Sequence, residues 1–234
     1  MTEYEINGHA WSADSWKPTG RIFRPPVEEN SELQSQINTP LRGREYDFKG
    51  NDPLGILGNG WSTVEDEGVW SCEKRATIKL KLPDGLKSAV YSFRLRPATR
   101  RDALSQNVEV FDAHGRMVAQ WDVYREAWYS FVVYGGTPEA IATFTLSIPN
   151  AQSPLDAGFS LDSRMLGLFL RSVKIADVPI LKSGEEINMA LGGNSDSFLL
   201  DGWGDAEKEH RWSVGQRASL GMTLDNAFNN GFTI

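Results

Sequence analysis

Glu65, Asp66 and Glu67 are consecutive acids in a glycine-flanked stretch. Two carboxylates on opposite sides of a glycosidic bond are what sugar hydrolysis needs, so this loop is one candidate for chemistry. Its bland reading is a solvated turn, because adjacent acids seldom converge on one bond. The histidines, His9, His114 and His210, lie in no H-x-H, H-E-x-x-H or G-x-S-x-G context, so triad and zinc chemistry lack their parts. The single cysteine, Cys72, excludes an internal disulfide and a cysteine-based metal site. Asn51, Asp52, Asp156 and Asp162 are oxygen donors of the kind a structural Ca²⁺ takes, but no acidic twelve-residue loop accompanies them. Asp162 is read first as an ion-pair partner of Arg164 or Arg75.

Aromatic residues carry a stronger signal. Pyranose rings stack their C–H faces on Trp and Tyr while nearby polar groups take the hydroxyls. Trp61 with Glu65, and the group Trp121, Tyr124 and Trp128, supply both kinds of contact. These five residues are the candidate carbohydrate site. Tyr129 follows directly, and the loop Asp122 to Ala127 is expected to form one lip of a groove. The alternative is that these rings cap or fill a core. For Trp70, which leads straight into a strand pattern, the core reading is preferred.

Residues 60–82 return at 202–224, an offset of 142 positions that aligns Gly60 with Gly202 and Trp61 with Trp203. Glu65 and Glu67 fall on Glu207 and Glu209, Trp70 on Trp212, Ser71 on Ser213 and Arg75 on Arg217. A fixed offset marks a repeated structural unit. An acidic pair present in both copies points to how the unit is built, which weakens the hydrolytic reading of Glu65 and Glu67. The second copy is incomplete, and one strand with its lead-in cannot bury a core alone. It is therefore expected to dock on the first unit, pair with the N-terminal arm, or exchange with a partner through residues 198–224.

The elements that must hold these residues read as strands. Ala76–Leu82 and Ser88–Pro97 alternate strictly, with Tyr91, Phe93 and Leu95 on one face of the second. Asn107–Phe111, the turn Asp112–Gly115 and Met117–Trp121 spell a hairpin, and Gly115 suits its turn. Trp128–Tyr134, Ile141–Ile148 and Met165–Ile175 complete about seven or eight strands, the number a β-sandwich uses. No helix of crossover length separates them, which disfavours a parallel α/β sheet. The expected class is all-β, a jelly-roll-like sandwich over residues 45–178. An irregular arm at 1–44 holds Pro25–Pro26, a helical turn near Glu32–Ile37 and the anchors Trp11 and Trp16. The partial second repeat spans 179–234.

A net charge of −7 without a long Lys/Arg cluster argues against nucleic acid. No run of 18 apolar residues is present, so no helical membrane span is expected. The N-terminal residues show no secretory pattern, which gives a default expectation of a cytoplasmic protein or a component of an exported or released assembly.

The pattern GW…E…VWS with A…L.L, then Ser153-Pro154 and Gly158-Phe-Ser-Leu-Asp162-Ser-Arg164-Met-Leu-Gly167-Leu, has a familiar look. It resembles a non-catalytic, carbohydrate-binding-like β-sandwich module found with bacterial capsule and exopolysaccharide glycosyltransferases. The resemblance covers roughly residues 56–176, and 198–224 match its opening motif again. It implies a jelly-roll-like fold associated with surface carbohydrate. The chain departs from that pattern in having no glycosyltransferase domain and an unfinished second copy. The expected function is non-catalytic binding of bacterial cell-surface polysaccharide. The alternatives are a structural or assembly protein, such as a phage-like spike component oligomerising through the half-repeat, and a polysaccharide-active enzyme. No cofactor is expected beyond the weakly supported Ca²⁺.

Overall fold

The computed structural model describes residues 5–6, 9–10, 37–83, 86, 88–98, 105–134, 141–158, 160–214 and 217–225. Trp11, Trp16, Pro25–Pro26 and most of the expected helical turn lie outside them. The strands are β1 (Glu5–Ile6), β2 (His9–Ala10), β3 (Glu45–Asp47), β4 (Val69–Trp70), β5 (Arg75–Lys81) and β6 (Ser88–Pro97). They continue with β7 (Gln106–Phe111), β8 (Met117–Val123), β9 (Ala127–Tyr134), β10 (Ile141–Ser147) and β11 (Leu168–Asp177). Four short strands follow: β12 (Ile180–Leu181), β13 (Trp203–Ala206), β14 (Arg211–Ser213) and β15 (Thr223–Leu224).

Strands β4 to β11 form two antiparallel sheets. One runs β5-β10-β7-β8, and the other runs from the β3/β4 edge through β11 and β6 to β9. Taking β4 to β11 as eight positions in sequence, the orders are 2-7-4-5 and 1-8-3-6, the jelly-roll arrangement. β4 and β3 share one edge of β11. β4 meets Phe169 and Leu170, and β3 meets Ser172 to Lys174. The expected hairpin is present as β7 and β8. The Asp112 carboxylate accepts from the backbone N–H groups of His114 and Arg116, both at 2.9 Å, and so holds the turn.

Period-two alternation aims the apolar residues inward. On β5 the buried positions are Ala76, Ile78 and Leu80; on β6 they include Tyr91, Phe93 and Leu95. A strand with one buried face cannot slip register by a residue without turning that set into solvent. The two inner faces meet in one cluster. Tyr91 and Phe131 from one sheet lie 5.1 and 4.9 Å from Phe144 of the other. Fully burying such side chains stabilises by about 1.5–3 kcal/mol each. Residues 37–44 pack along the same body, with Ile37 buried and Gly43 donating to the Ile175 carbonyl at 2.7 Å.

Candidate functional site

The C-terminal stretch is built like the lead-in to β5. Trp61 donates its indole N–H to the Thr77 carbonyl at 2.9 Å, and Trp203 donates to the Ser219 carbonyl at 2.9 Å. Cys72 N–H bonds Gly60 O, as Val214 N–H bonds Gly202 O. Lys79 N–H bonds Ile56 O, as Gly221 N–H bonds Phe198 O. Each pair is separated by the same 142 positions. The backbone beside Gly60 is occupied by Arg75 and Ala76, and that beside Gly202 by Arg217 and Ala218. Both glycines have positive φ, 86° and 76°, so a side chain at either is excluded by conformation and by space.

The stretch docks within its own chain. β12 pairs in parallel with β15, which ties Ile180–Leu181, just after β11, to Thr223–Leu224. Tyr134 of β9 donates its hydroxyl to Met222 O at 3.0 Å. Gly221 lies so close to the Val132 and Leu200 side chains that a Cβ there would overlap both. Phe198 is buried, as is its counterpart Ile56. The C-terminal unit thus covers the side where β8 and β9 are the outer strands, the kind of unpaired edge that folds protect.

Docking leaves a cleft of about 890 Å³ between the two parts. One wall comes from the end of β8, the β8–β9 loop and β9, and carries Tyr124 and Trp128. The other comes from the C-terminal unit and carries Trp203. Tyr124 is 40% exposed, and Trp128 and Trp203 are half-buried. Tyr129 has its ring in the core, and its hydroxyl donates to Arg125 O at 3.1 Å, which pins the loop. Burial pushes the Tyr129 phenol up to about 12, so it stays protonated at neutral pH.

The cleft is polar as well as aromatic. Arg125 reaches Asp205 of the opposite wall at 3.8 Å, and Arg211 pairs with Asp196 at 2.5 Å. Burial holds the Asp201 carboxyl above its ordinary range, against the pull of Ser219 and Arg217. Asp122, Gln120 and Asn107 extend the rim. Lys174 lies over one face of Trp128 and Arg125 over one face of Tyr124, and aromatic rings beside hydroxyl-binding groups are what a sugar site needs.

The structure divides the five expected site residues. Tyr124 and Trp128 share the cleft. Trp121 borders the cleft but keeps its ring in the core beneath it. β8 alternates, and Trp121 falls on its inward series, 2% exposed, within 6.1 Å of Phe93, Tyr129 and Phe131. A ring packed on that many neighbours has no face for a sugar, so the expectation for Trp121 is corrected. Trp61 and Glu65 belong to the lead-in of β5, at the opposite edge of its sheet from β8. Trp61 packs half-buried against the core. Glu65 accepts from Arg164 at 3.2 Å, and Arg164 pairs with Asp162 at 2.7 Å. These two residues are thus separated from Tyr124 and Trp128, and their contacts are structural. Trp203 is the cleft residue that sequence reasoning left out. The offset of 142 assigned it the role of Trp61, and only docking places it opposite Trp128.

Trp70 is also corrected. It is half-buried, packed at a tilt against Phe169 with ring centres 4.8 Å apart and under the Arg96 guanidinium, on the outer side of its sheet. Two of the residues considered for Ca²⁺ have other uses. Asp52 accepts from the N–H groups of Leu54, Gly55 and Leu57, and Asp162 holds Arg164. Among the described residues no group of three or more His, Cys, Asp or Glu is placed to hold a metal. Among them, too, no helix is long and apolar enough to cross a membrane.

No family model matches the chain, and no curated protein matches it. Several solved structures share its general outline at low identity. A carbohydrate-binding module CBM36 in complex with calcium and xylotriose aligns with 57% of this chain and 99% of its own, at 8% identity and a TM-score of 0.33. A family 6 carbohydrate-binding module aligns with 59% and 99%, at 8% identity and a TM-score of 0.33. The CsCBM6-3 module from Clostridium stercorarium in complex with cellobiose aligns with 59% and 98%, at 8% identity and a TM-score of 0.32. At that distance the likeness is one of outline; the all-β architecture rests on the strands and pairings described above.

Proposed function

We propose that this chain binds polysaccharide without cleaving it, in the cleft between the sandwich and the C-terminal unit. The carrying observation is that Tyr124 and Trp128 line one wall of a polar cleft whose other wall holds Trp203. A glycan strand entering it gains stacking surfaces from both sides and hydroxyl partners from the acids and amides of the rim. Cell-surface polysaccharide is the ligand class this reading favours. Hydrolysis by Glu65 and Glu67 is disfavoured, because Glu65 is tied to Arg164 and lies apart from the cleft. The test is calorimetric titration of the whole chain with a polysaccharide panel. Trp128→Ala should weaken binding about tenfold, the scale of one lost aromatic contact, with the melting temperature kept. A Trp128→Ala chain that binds as tightly as wild type would remove the cleft as the site. Release of reducing sugar from the panel would favour the enzyme instead.

A second reading has its own observation. Trp70 is covered by β11, but its counterpart Trp212 on β14 is 65% exposed. In this reading residues 198–224 join copies of the chain or a partner protein through that open edge. Light scattering on a concentration series tests self-association: a monomer throughout, unchanged by Trp212→Ser, would discard it.

A further inference from the structure

We infer that the cleft selects an acidic polysaccharide, one bearing uronate carboxylates, and that Lys174 reads the charge. The inference rests on the reading of the cleft as a glycan site. Lys174 comes from β11 and lines the cleft beside Trp128, its Nζ 5.1 Å from the centre of the Trp128 ring. The side chain is half-buried. Across the sheet its row continues through Ser92 and Ser130, whose hydroxyls bond each other at 2.8 Å.

The other cations of the cleft have acids to answer them. Arg211 has Asp196, Arg125 has Asp205, and Arg217 lies near enough to Asp201 to act on its carboxyl. Lys174 has none within 4.0 Å among the described residues. The acid opposite it in register is Glu45, whose carboxylate accepts from Ser172 Oγ at 2.6 Å. A half-buried ammonium whose one close partner is a ring face has given up water without gaining an anion. A uronate residue offers what is missing. Its C–H face stacks on Trp128 or Tyr124, and its carboxylate accepts charge-assisted hydrogen bonds from Nζ. The chain carries a net charge of −7, so long-range repulsion opposes binding of a polyanion. A preference for one must therefore come from a local cation.

The experiment compares polygalacturonate, the same polymer fully methyl-esterified, and a neutral β-glucan, titrated into the whole chain at low and high salt. Esterification removes the charge and keeps the ring. Wild type should bind the free acid about tenfold more tightly than the ester, the scale of one hydrogen bond to a charged group. High salt should narrow that ratio. Lys174→Gln should bring the ratio to about one, and Lys174→Arg should keep it above one, with folding followed by melting temperature. A wild-type ratio of one, or a ratio that survives Lys174→Gln, overturns the inference and leaves the cleft reading standing whenever any polymer binds. If none of the three binds, the cleft reading fails and the inference fails with it.

Discussion

Trp121 and Trp128 show how little separates a core ring from a binding ring at the residue scale. They bracket one short loop and share a residue type. Trp121 sits on the inward series of β8, and Trp128 on the outward series of β9. Trp121→Ala should therefore destabilise by about 3–5 kcal/mol, the cost of emptying a packed aromatic site. Trp70→Ala, half-buried against Phe169, should cost about 2 kcal/mol by the same measure. Urea denaturation checks both, and equal midpoints for the two variants would contradict the burial seen here. Asp201 gives a pH signature. Burial raises its folded pKa, so between the unfolded and folded values the docked chain holds a proton that the unfolded chain has released. The stability from that proton is complete below the unfolded carboxylate pKa and is lost as pH rises through the folded value. Limited proteolysis of residues 179–225 should therefore slow as pH falls through the raised Asp201 value toward the ordinary carboxylate range. Asp201→Asn should flatten that dependence; an unchanged profile would assign it to another group. Asp162 works in the opposite sense, because hydrogen bonds from Arg164 hold its pKa low. Its contribution is present above the unfolded pKa and is lost as pH falls through the folded one.

At the scale of the element, the strands of the sandwich were legible because alternation is a local property. β6 spans Ser88–Pro97 as its pattern implies, and the hairpin of β7 and β8 follows from its turn residues. β11 differs at both ends. It starts at Leu168 because residues 165–167 are engaged elsewhere: Leu166 bridges to Gln152, and Gly167 packs against Ile148 and Ala151. Residues aligned by the offset of 142 also share local geometry in the structure, including the indole hydrogen bonds of Trp61 and Trp203. The offset did not predict the surroundings of the copies, since β4 has β11 beside it and β14 does not. The docked position of the C-terminal unit turns on Gly221. Gly221→Val should collide with Val132 and Leu200, release residues 198–225 to protease and abolish glycan binding, while the sandwich keeps its near-ultraviolet signal. Binding that persists in a released unit would show that its wall of the cleft is dispensable.

For the whole molecule, the jelly-roll order places β8 and β9 together at one side, and the C-terminal unit covers that side. A structure-building motif, repeated in sequence, has there become one wall of a cleft. The amino-acid sequence by itself determined the all-β class and the approximate positions of the sandwich strands, though not the strand expected in the second copy, of which only Thr223–Leu224 forms. Those depend on alternation, turn chemistry and hydrogen bonds between residues near in the chain. Only the tertiary structure decided which aromatic residues face a ligand. Whether Trp121 lies inside and Trp203 lies opposite Trp128 depends on which sheets and units meet across long sequence separations. The same holds for Lys174, whose lack of an acid partner among the described residues is a property of what those residues pack around it.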